Sequence, residues 1–399
     1  LSLTLLLDLD DTLLKNNFEE FLPYYLEAFS KKVSPIIEPN SFVNALMEST
    51  RAMLTNRKPD CTLMEVFESS FYPKMNISKD NFQNIAESFY LEEFPKLQIH
   101  TKSIPEAIEL VQTAQAKGFS ISISTNPLFP MVAIEERLKW ANLSQNDYQY
   151  ELVSSFESFH FAKPDPTYFA ELLARLGWPQ GSILVVGDDI ESDIYAANQL
   201  GLKTFLVNSD DEQNNSLLES ATSHGSLTDL VEWIERTPLE QLLPDYSSCE
   251  SILATLRSTP AALDTISRNL HNSNSLRNPR EGEWGLTENF CHLRDVDIKV
   301  NRPRIIQILE KNNPFLPGVD TDKWADDSKY EEQDGGVALD EFIAARINLV
   351  KILETMDKED WERPARHAIF GPTNLKELLS ITASHDRAHM KQVNQIFQV

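Results

Sequence analysis

The chain has 399 residues, 41% of them apolar, and 61 acidic against 36 basic side chains give a formal net charge of -25. That length predicts two or three domains, and the apolar share excludes global disorder. A field of that sign repels polyphosphate backbones, which excludes nucleic acid as the main partner.

No run of about 20 apolar residues occurs, so no membrane span is expected. Cys61, Cys249 and Cys291 are few, odd in number and without a CxxC spacing, which fits a reducing compartment and predicts a cytoplasmic protein. The opening Leu-Ser-Leu-Thr-Leu-Leu-Leu lacks a basic leader and runs directly into Asp8 and Asp10. It reads as a strand rather than a signal peptide. The absence of an initiating Met suggests that the chain begins slightly inside its gene product.

Residues 3–8 read as a strand. Segments 17–31, 40–55, 62–71 and 79–94 then carry apolar residues at helical spacing, with no strand-like run before Phe119. They predict a helical insertion over 15–100. Alternation follows: helix 105–117, strand 119–124, helix 130–141, helix 167–176, strand 182–186, helix 191–200 ended by Gly201, and strand 203–207. Repeated βα units predict a parallel sheet with helices on both faces, an α/β fold. Pro238, Pro244, Ser247 and Ser248 mark a linker over 236–249. Beyond it only helices are expected, over 250–271, 286–311, 338–356 and 374–397, which predicts a four-helix bundle. The loop 312–337 is long for a bundle and is expected to cover or line a site.

Four polar clusters end apolar runs or come just after them: Asp8-Leu9-Asp10-Asp11-Thr12, Thr125-Asn126, Lys163-Pro164 and Gly187-Asp188-Asp189. In open α/β sheets the carboxyl ends of the strands form the ligand crevice. Asp8 and Asp10, two residues apart in extended backbone, face the same side. One carboxylate can accept a phosphoryl group while the other protonates the leaving alcohol and then activates water. Thr125 and Lys163 would steady the non-bridging oxygens. Asp188, Asp189 and Asp8 offer oxygen ligands suited to Mg²⁺.

On these motifs, residues 1–235 resemble the haloacid dehalogenase (HAD) superfamily of hydrolases, mostly phosphatases. Asp8–Thr12 matches its DxDxT motif, Ile121–Thr125 its second motif, Lys163 its third, and Gly187-Asp188-Asp189 with Asp193 its acidic fourth. The resemblance implies a Rossmann-like core with 15–100 as a mobile cap. It also implies Asp8 as nucleophile, Asp10 as general acid/base, and Thr125 and Lys163, with Asn126 beside them, on phosphate. Asp188 would bind Mg²⁺ together with Asp8 and the Asp10 carbonyl. Either Asp189 or Asp193 touches the metal or steadies Lys163. Dehalogenase members lack the second aspartate of the first motif, so Asp10 favours a phosphatase; related sugar-phosphate mutases also keep it. Lys31, Lys32, Arg51, Arg57 and Lys58 are candidate cap contacts to substrate.

His385 and His389 stand at i and i+4 on a predicted helix and could share a metal. His292 is the best third imidazole. His271 and His367 fall in or near loops, and Cys291, adjacent to His292, points away around the helix and reads as core. Asp386 and Asp295 could orient an imidazole. With Glu283-Trp284-Gly285-Leu286-Thr287, Asp360-Trp361, Gly371-Pro372-Thr373 and this histidine layout, residues 250–399 resemble the DinB-like four-helix bundles. That resemblance implies a three-histidine site for a divalent metal such as Zn²⁺ or Ni²⁺.

The expected function is a Mg²⁺-dependent phosphatase acting on a small phosphorylated metabolite, fused to a metal-binding bundle. The alternatives are a metal- and thiol-dependent transferase centred on the bundle, or a non-catalytic metal or ligand sensor.

Overall fold

A computed structural model describes residues 2–75, 77–207, 220–271, 284–321 and 323–397. The chain divides into two compact units, one formed by Leu1–Arg57, Cys61–Phe169 and Pro179–Pro244, the other by Lys58–Asp60, Ala170–Trp178 and Asp245–Val399. Among the described residues, no helix is long and apolar enough to cross a membrane.

The first unit is built on a six-stranded parallel sheet in the order Leu152–Val153, Ser120–Ile123, Leu3–Leu7, Ser182–Gly187, Lys203–Val207, Ser223–Gly225. Leu3–Leu7 lies at the centre with every residue buried, and Ser182–Gly187 beside it is buried throughout. Covering helices on both faces require such unbroken apolar runs. The sequence predicted the strands from Leu3, Ser120, Ser182 and Lys203 closely. It missed Leu152–Val153 and Ser223–Gly225, which at two and three residues are too short to show a period. Register puts Leu7 opposite both Ile123 and Val186. The Asp8 amide then donates to Val186 O at 2.9 Å and the Ser124 amide to Leu7 O at 2.7 Å. The three strands therefore end at one level, and the residues just beyond each of them face a common crevice.

Among the described residues the insertion carries four α-helices, Phe18–Val33, Pro39–Leu54, Leu63–Phe71 and Lys79–Glu92. Each begins on a side-chain cap: Asn17, Glu38, Thr62 with Glu65 in a reciprocal box, and Ser78. A two-strand pairing of Leu14–Lys15 with Lys102–Ser103 closes the base of the insertion. The Leu63 and Met64 amides donate to the carbonyls of Phe159 and Phe156, and Arg57 pairs with buried Asp165 at 2.9 Å. These contacts fasten the cap to the loop that carries Lys163.

In the second unit the long helices are Cys249–His271, Leu286–Val296 continuing through a wider turn at Asp297–Asn301 into Arg302–Glu310, Gly335–Glu354 and Leu375–Phe397. Leu256, Ile305, Ile308, Leu349, Leu379 and Ala383 form much of their shared core. The expectation of helices alone is corrected here. Phe315–Leu316, Pro364–His367 and Gly371–Asn374 make a small three-stranded sheet. Its hairpin turns at Gly371, whose φ of +76° is a left-handed conformation that glycine adopts without strain. Pro364 and Pro372 in four-residue strands hid it from any reading of periodicity.

Candidate active site and metal centre

The crevice at the strand ends holds a cavity of about 230 Å³ lined by Asp8, Asp10, Thr125, Asn126, Lys163, Asp188 and Asp189, together with Arg137 and Asp193. Lys163 is fully buried, and its ammonium donates to Asp8 Oδ1 at 2.9 Å and to Asp193 Oδ1. Asn126 holds the Lys163 backbone from both sides, accepting from its amide at 3.2 Å and donating to its carbonyl at 3.4 Å. Asn126 thus positions the lysine loop. The Thr125 carbonyl accepts from Ser154 Oγ and from Tyr168 OH, which fixes the backbone that presents its hydroxyl.

Asp10 faces elsewhere in the same cavity. Its Oδ1 accepts from Asn16 Nδ2 at 2.8 Å and its Oδ2 pairs with the Arg137 guanidinium. Arg137 is buried on helix Met131–Trp140, packs over Phe129 at 4.7 Å, and keeps its Nε and Nη2 without a partner. Sequence reasoning missed it. Asp188 accepts from Thr12 Oγ1 at 3.2 Å. Asp189 turns back to cap the next helical segment, taking the Ser192 amide at 2.6 Å. Oxygens of Asp8, Asp188 and Asp193 come within 4.8 Å of one another. Lys32 and Arg57 of the cap are paired with Glu92 and Asp165.

The electrostatics arise from burial. Desolvation pushes the Asp8 carboxyl well above its ordinary range against the pull of Lys163, and raises Asp193 in the same way. Asp188 is pushed up to about 7 by burial, with the charges of Asp193 and Asp11 adding to it. Burial works against the Lys163 ammonium, yet Asp193 and Asp8 carry it above its usual value. The site thus gathers more buried carboxylate than its lysine neutralises. A hard divalent cation such as Mg²⁺ fits that all-oxygen donor set.

In the second unit, the Nε2 atoms of His292, His385 and His389 converge: His385 Nε2 lies 3.0 Å from that of His292 and 3.1 Å from that of His389. His389 Nδ1 lies 2.8 Å from Asn289 Oδ1, and an amide oxygen only accepts. Nδ1 therefore carries the proton and Nε2 keeps its lone pair. Asn289 sits one helical turn before His292 and anchors its own amide on Gly285 O; the sequence offered no signal for it. Burial drives the His292 imidazolium down to about 4 and His389 to about 2, with neighbouring imidazoles adding to the effect, and lowers His385 as well. Three desolvated imidazoles with converging Nε2 atoms are the donor set of a borderline transition-metal ion.

The other candidates stand apart. His367 accepts the Ile369 and Phe370 amides in the hairpin turn, and the side chain of His271 lies outside the described residues. Cys291 is buried and donates to Gln333, as expected of a core residue. Asp386 bonds Arg346, and Asp295 bonds Arg294, Lys299 and Tyr330. The 312–337 loop does line a cavity, of about 290 Å³, where Val319 and Thr321 join His367 and His385.

A family model of haloacid dehalogenase-like hydrolases matches residues 3–201, and one of the DinB superfamily matches residues 250–393. A ribulose-1,5-bisphosphate 5-phosphatase of Halopiger xanaduensis is 32% identical over 155 residues, 36% of this chain and 60% of that protein. A phosphoglycolate phosphatase of Aquifex aeolicus is 29% identical over 132 residues, 33% of this chain and 59% of that one. The chain therefore spans less than two thirds of either relative. Among solved structures, a HAD phosphatase from Thermococcus onnurineus aligns over 59% of this chain and 98% of its own, at 18% identity and a TM-score of 0.38. YfiT from Bacillus subtilis, described as a probable metal-dependent hydrolase with a four-helix bundle, aligns over 41% and 91%, at 18% identity and a TM-score of 0.34. The chain thus joins a member of the haloacid dehalogenase-like hydrolases, over residues 3–201, to a member of the DinB superfamily, over residues 250–393.

Proposed function

We propose that the first unit is a Mg²⁺-dependent phosphatase of a small phosphorylated metabolite, working through an aspartyl-phosphate on Asp8. The observation that carries this is the division of labour between two carboxylates. Asp8 is buried and fixed by Lys163, while Asp10, two residues on, is held separately by Asn16 and Arg137 in the same cavity. Asp8 attacks phosphorus as the ester P–O bond breaks, and Asp10 gives its proton to the departing oxygen. Water then attacks phosphorus and gives a proton to Asp10 as the bond from the Asp8 oxygen to phosphorus breaks, which frees inorganic phosphate and restores the Asp8 carboxylate. Lys163 and Thr125 hold the non-bridging oxygens throughout, and Asp193 keeps the lysine aimed. Asp8, Asp188 and the Asp10 carbonyl would hold Mg²⁺, which supplies charge neutralisation on the phosphoryl oxygens. Asp189 lines the cavity as the helix cap beside them. The names of the two phosphatase relatives support the class of reaction.

In the test, the full chain with Mg²⁺ should hydrolyse p-nitrophenyl phosphate, and Asp8→Asn should abolish turnover. Activity that survives Asp8→Asn would remove Asp8 as nucleophile.

A second reading concerns the bundle and rests on the converging Nε2 atoms. His292, His385 and His389 would hold one divalent ion such as Zn²⁺ or Ni²⁺, able to activate a bound water or thiol. Metal analysis of the full chain should find about one such ion, lost in His385→Ala/His389→Ala. We propose the cytoplasm as its compartment, a reading that three cysteines without a CxxC spacing support.

A further inference from the structure

The cap and the adjoining core together line a second cavity, of about 450 Å³, well inside the range of small-molecule sites. Leu22, Leu26, Phe29, Leu46, Met47 and Phe67 form much of its wall. Leu128 and Phe129 line both this cavity and the one that holds Asp8, so the two voids abut across that pair of side chains. No lysine, arginine or histidine stands among the lining residues. The polar groups that do are mostly engaged. The Tyr25 and Tyr90 hydroxyls bond each other at 3.0 Å, and Glu157 takes the Met131 amide on both oxygens at 2.9 and 3.1 Å.

A loosely packed subdomain would also leave space, but the cap does not lack filler. Phe29 stacks on Phe89 with ring centroids 4.1 Å apart, Phe71 meets Phe82 at 4.6 Å, and Phe29 meets Phe42 at 4.9 Å. The aromatic rings pack against one another, and Phe29 and Phe82 present further faces to the void beside Leu128 and Phe129. An apolar cavity holds water poorly because it offers too few polar partners. A second anionic group would meet Glu87 and Glu157 there with no cation to balance it.

We propose that this cavity receives the alkyl or aryl portion of a phosphomonoester whose single phosphoryl group reacts at Asp8, so that the substrate class is an apolar monophosphate. This rests on the phosphatase reading above. It sets the chain apart from relatives named for bisphosphate and carboxylate-bearing substrates, whose remaining groups are charged.

Phosphate release by the full chain with Mg²⁺ tests it, with methyl, butyl and octyl phosphate compared with phosphoglycolate and p-nitrophenyl phosphate. We expect kcat/KM to rise at least about tenfold from methyl to octyl phosphate, since each buried methylene favours binding. Ala86→Phe, which narrows the cavity, should cut the octyl-to-methyl ratio by at least about fivefold on the same basis. Should that variant fail to fold, the unaltered chain still decides: octylphosphonate must inhibit more tightly than methylphosphonate. Equal or better turnover of methyl phosphate and phosphoglycolate, or equal inhibition by the two phosphonates, overturns the inference and leaves the phosphatase reading standing. No release from any ester, p-nitrophenyl phosphate included, overturns both.

Discussion

The Asp193 carboxylate stands where a β-carbon on Gly187 would be: an added Cβ would lie 2.1 Å from Asp193 Oδ2. Glycine at the end of strand Ser182–Gly187 is what lets this carboxylate reach Lys163. Gly187→Ala must push Asp193 aside and with it the anchor of the ammonium. Overpacking of this kind costs about 1–3 kcal/mol, and the displaced lysine should lower kcat as well. Thermal unfolding and p-nitrophenyl phosphate kinetics would check both effects. An alanine variant with the parent's melting temperature and kcat would show that Asp193 is not held there.

Arg137 supplies the second expected outcome. It is buried, contacts Asp10, and still has two nitrogens free beside the cavity. Its loss would let Asp10, the carboxylate proposed above as acid/base, wander, and correct placement of such a group is worth about 10²–10⁴-fold. Arg137→Gln should therefore lower kcat by about a hundredfold, with Arg137→Lys recovering part of it. A change in KM alone would reassign Arg137 to binding.

These residues mark what the sequence could and could not disclose. Asp8, Asp10, Thr125 and Asp188 were legible because each ends a buried apolar run or comes close after one, where polar groups have one place to go. Arg137 was not, since it lies among Glu135, Glu136 and Lys139 on a short amphipathic helix and looks like one more solvated charge. Asn289 was hidden for a related reason: an amide one turn before a histidine has no spacing rule to betray it. The two- to four-residue strands missed in both units were invisible because pairing partners far along the chain, rather than local periodicity, define them.

Cation affinity at the first site should depend on pH with a definite sign. Asp188 is raised to about 7, and Asp8 is raised as well. Below that pH the carboxyl must shed a proton before it can bind a cation, so protons compete. Apparent Mg²⁺ affinity should weaken by up to about tenfold for each pH unit below about 7 and level off above it. Titration calorimetry between about pH 5.5 and about pH 8 would measure this. A flat profile would mean that Asp188 is not a ligand.

Arg346 lies buried between two buried carboxylates, donating to Asp297 Oδ2 at 2.6 Å and to Asp386 on its other side. It also donates to the Leu256 carbonyl at 3.0 Å, tying together the helices around the histidines. Arg346→Met strands both acids, and breaking such a group from one side costs about 3–5 kcal/mol. Replacing Asp297 and Asp386 by leucine in the same chain should restore much of the loss. Urea unfolding of the single and triple variants would decide, and a single variant as stable as the parent would refute the ion triad.

The histidine cluster should make the second unit acid-labile. His292 has a folded pKa near 4 against an ordinary value of 6.5, because burial and then the His385 charge oppose protonation. Above the ordinary value both states are neutral and the shift contributes nothing. As pH falls below it, the unfolded chain takes up a proton that the folded one refuses, so stability is lost progressively until the folded pKa is reached. For His292 that amounts to as much as about 3 kcal/mol, with His389 and His385 acting in the same direction. Chelator-treated protein should therefore melt at a lower temperature at about pH 5 than at about pH 7, and His292→Gln should flatten the dependence. A bound divalent ion should be released over the same interval, since protons and metal compete for the same nitrogens. Melting that ignores pH across it would mean that water reaches these imidazoles freely, and the desolvated site would have to be given up.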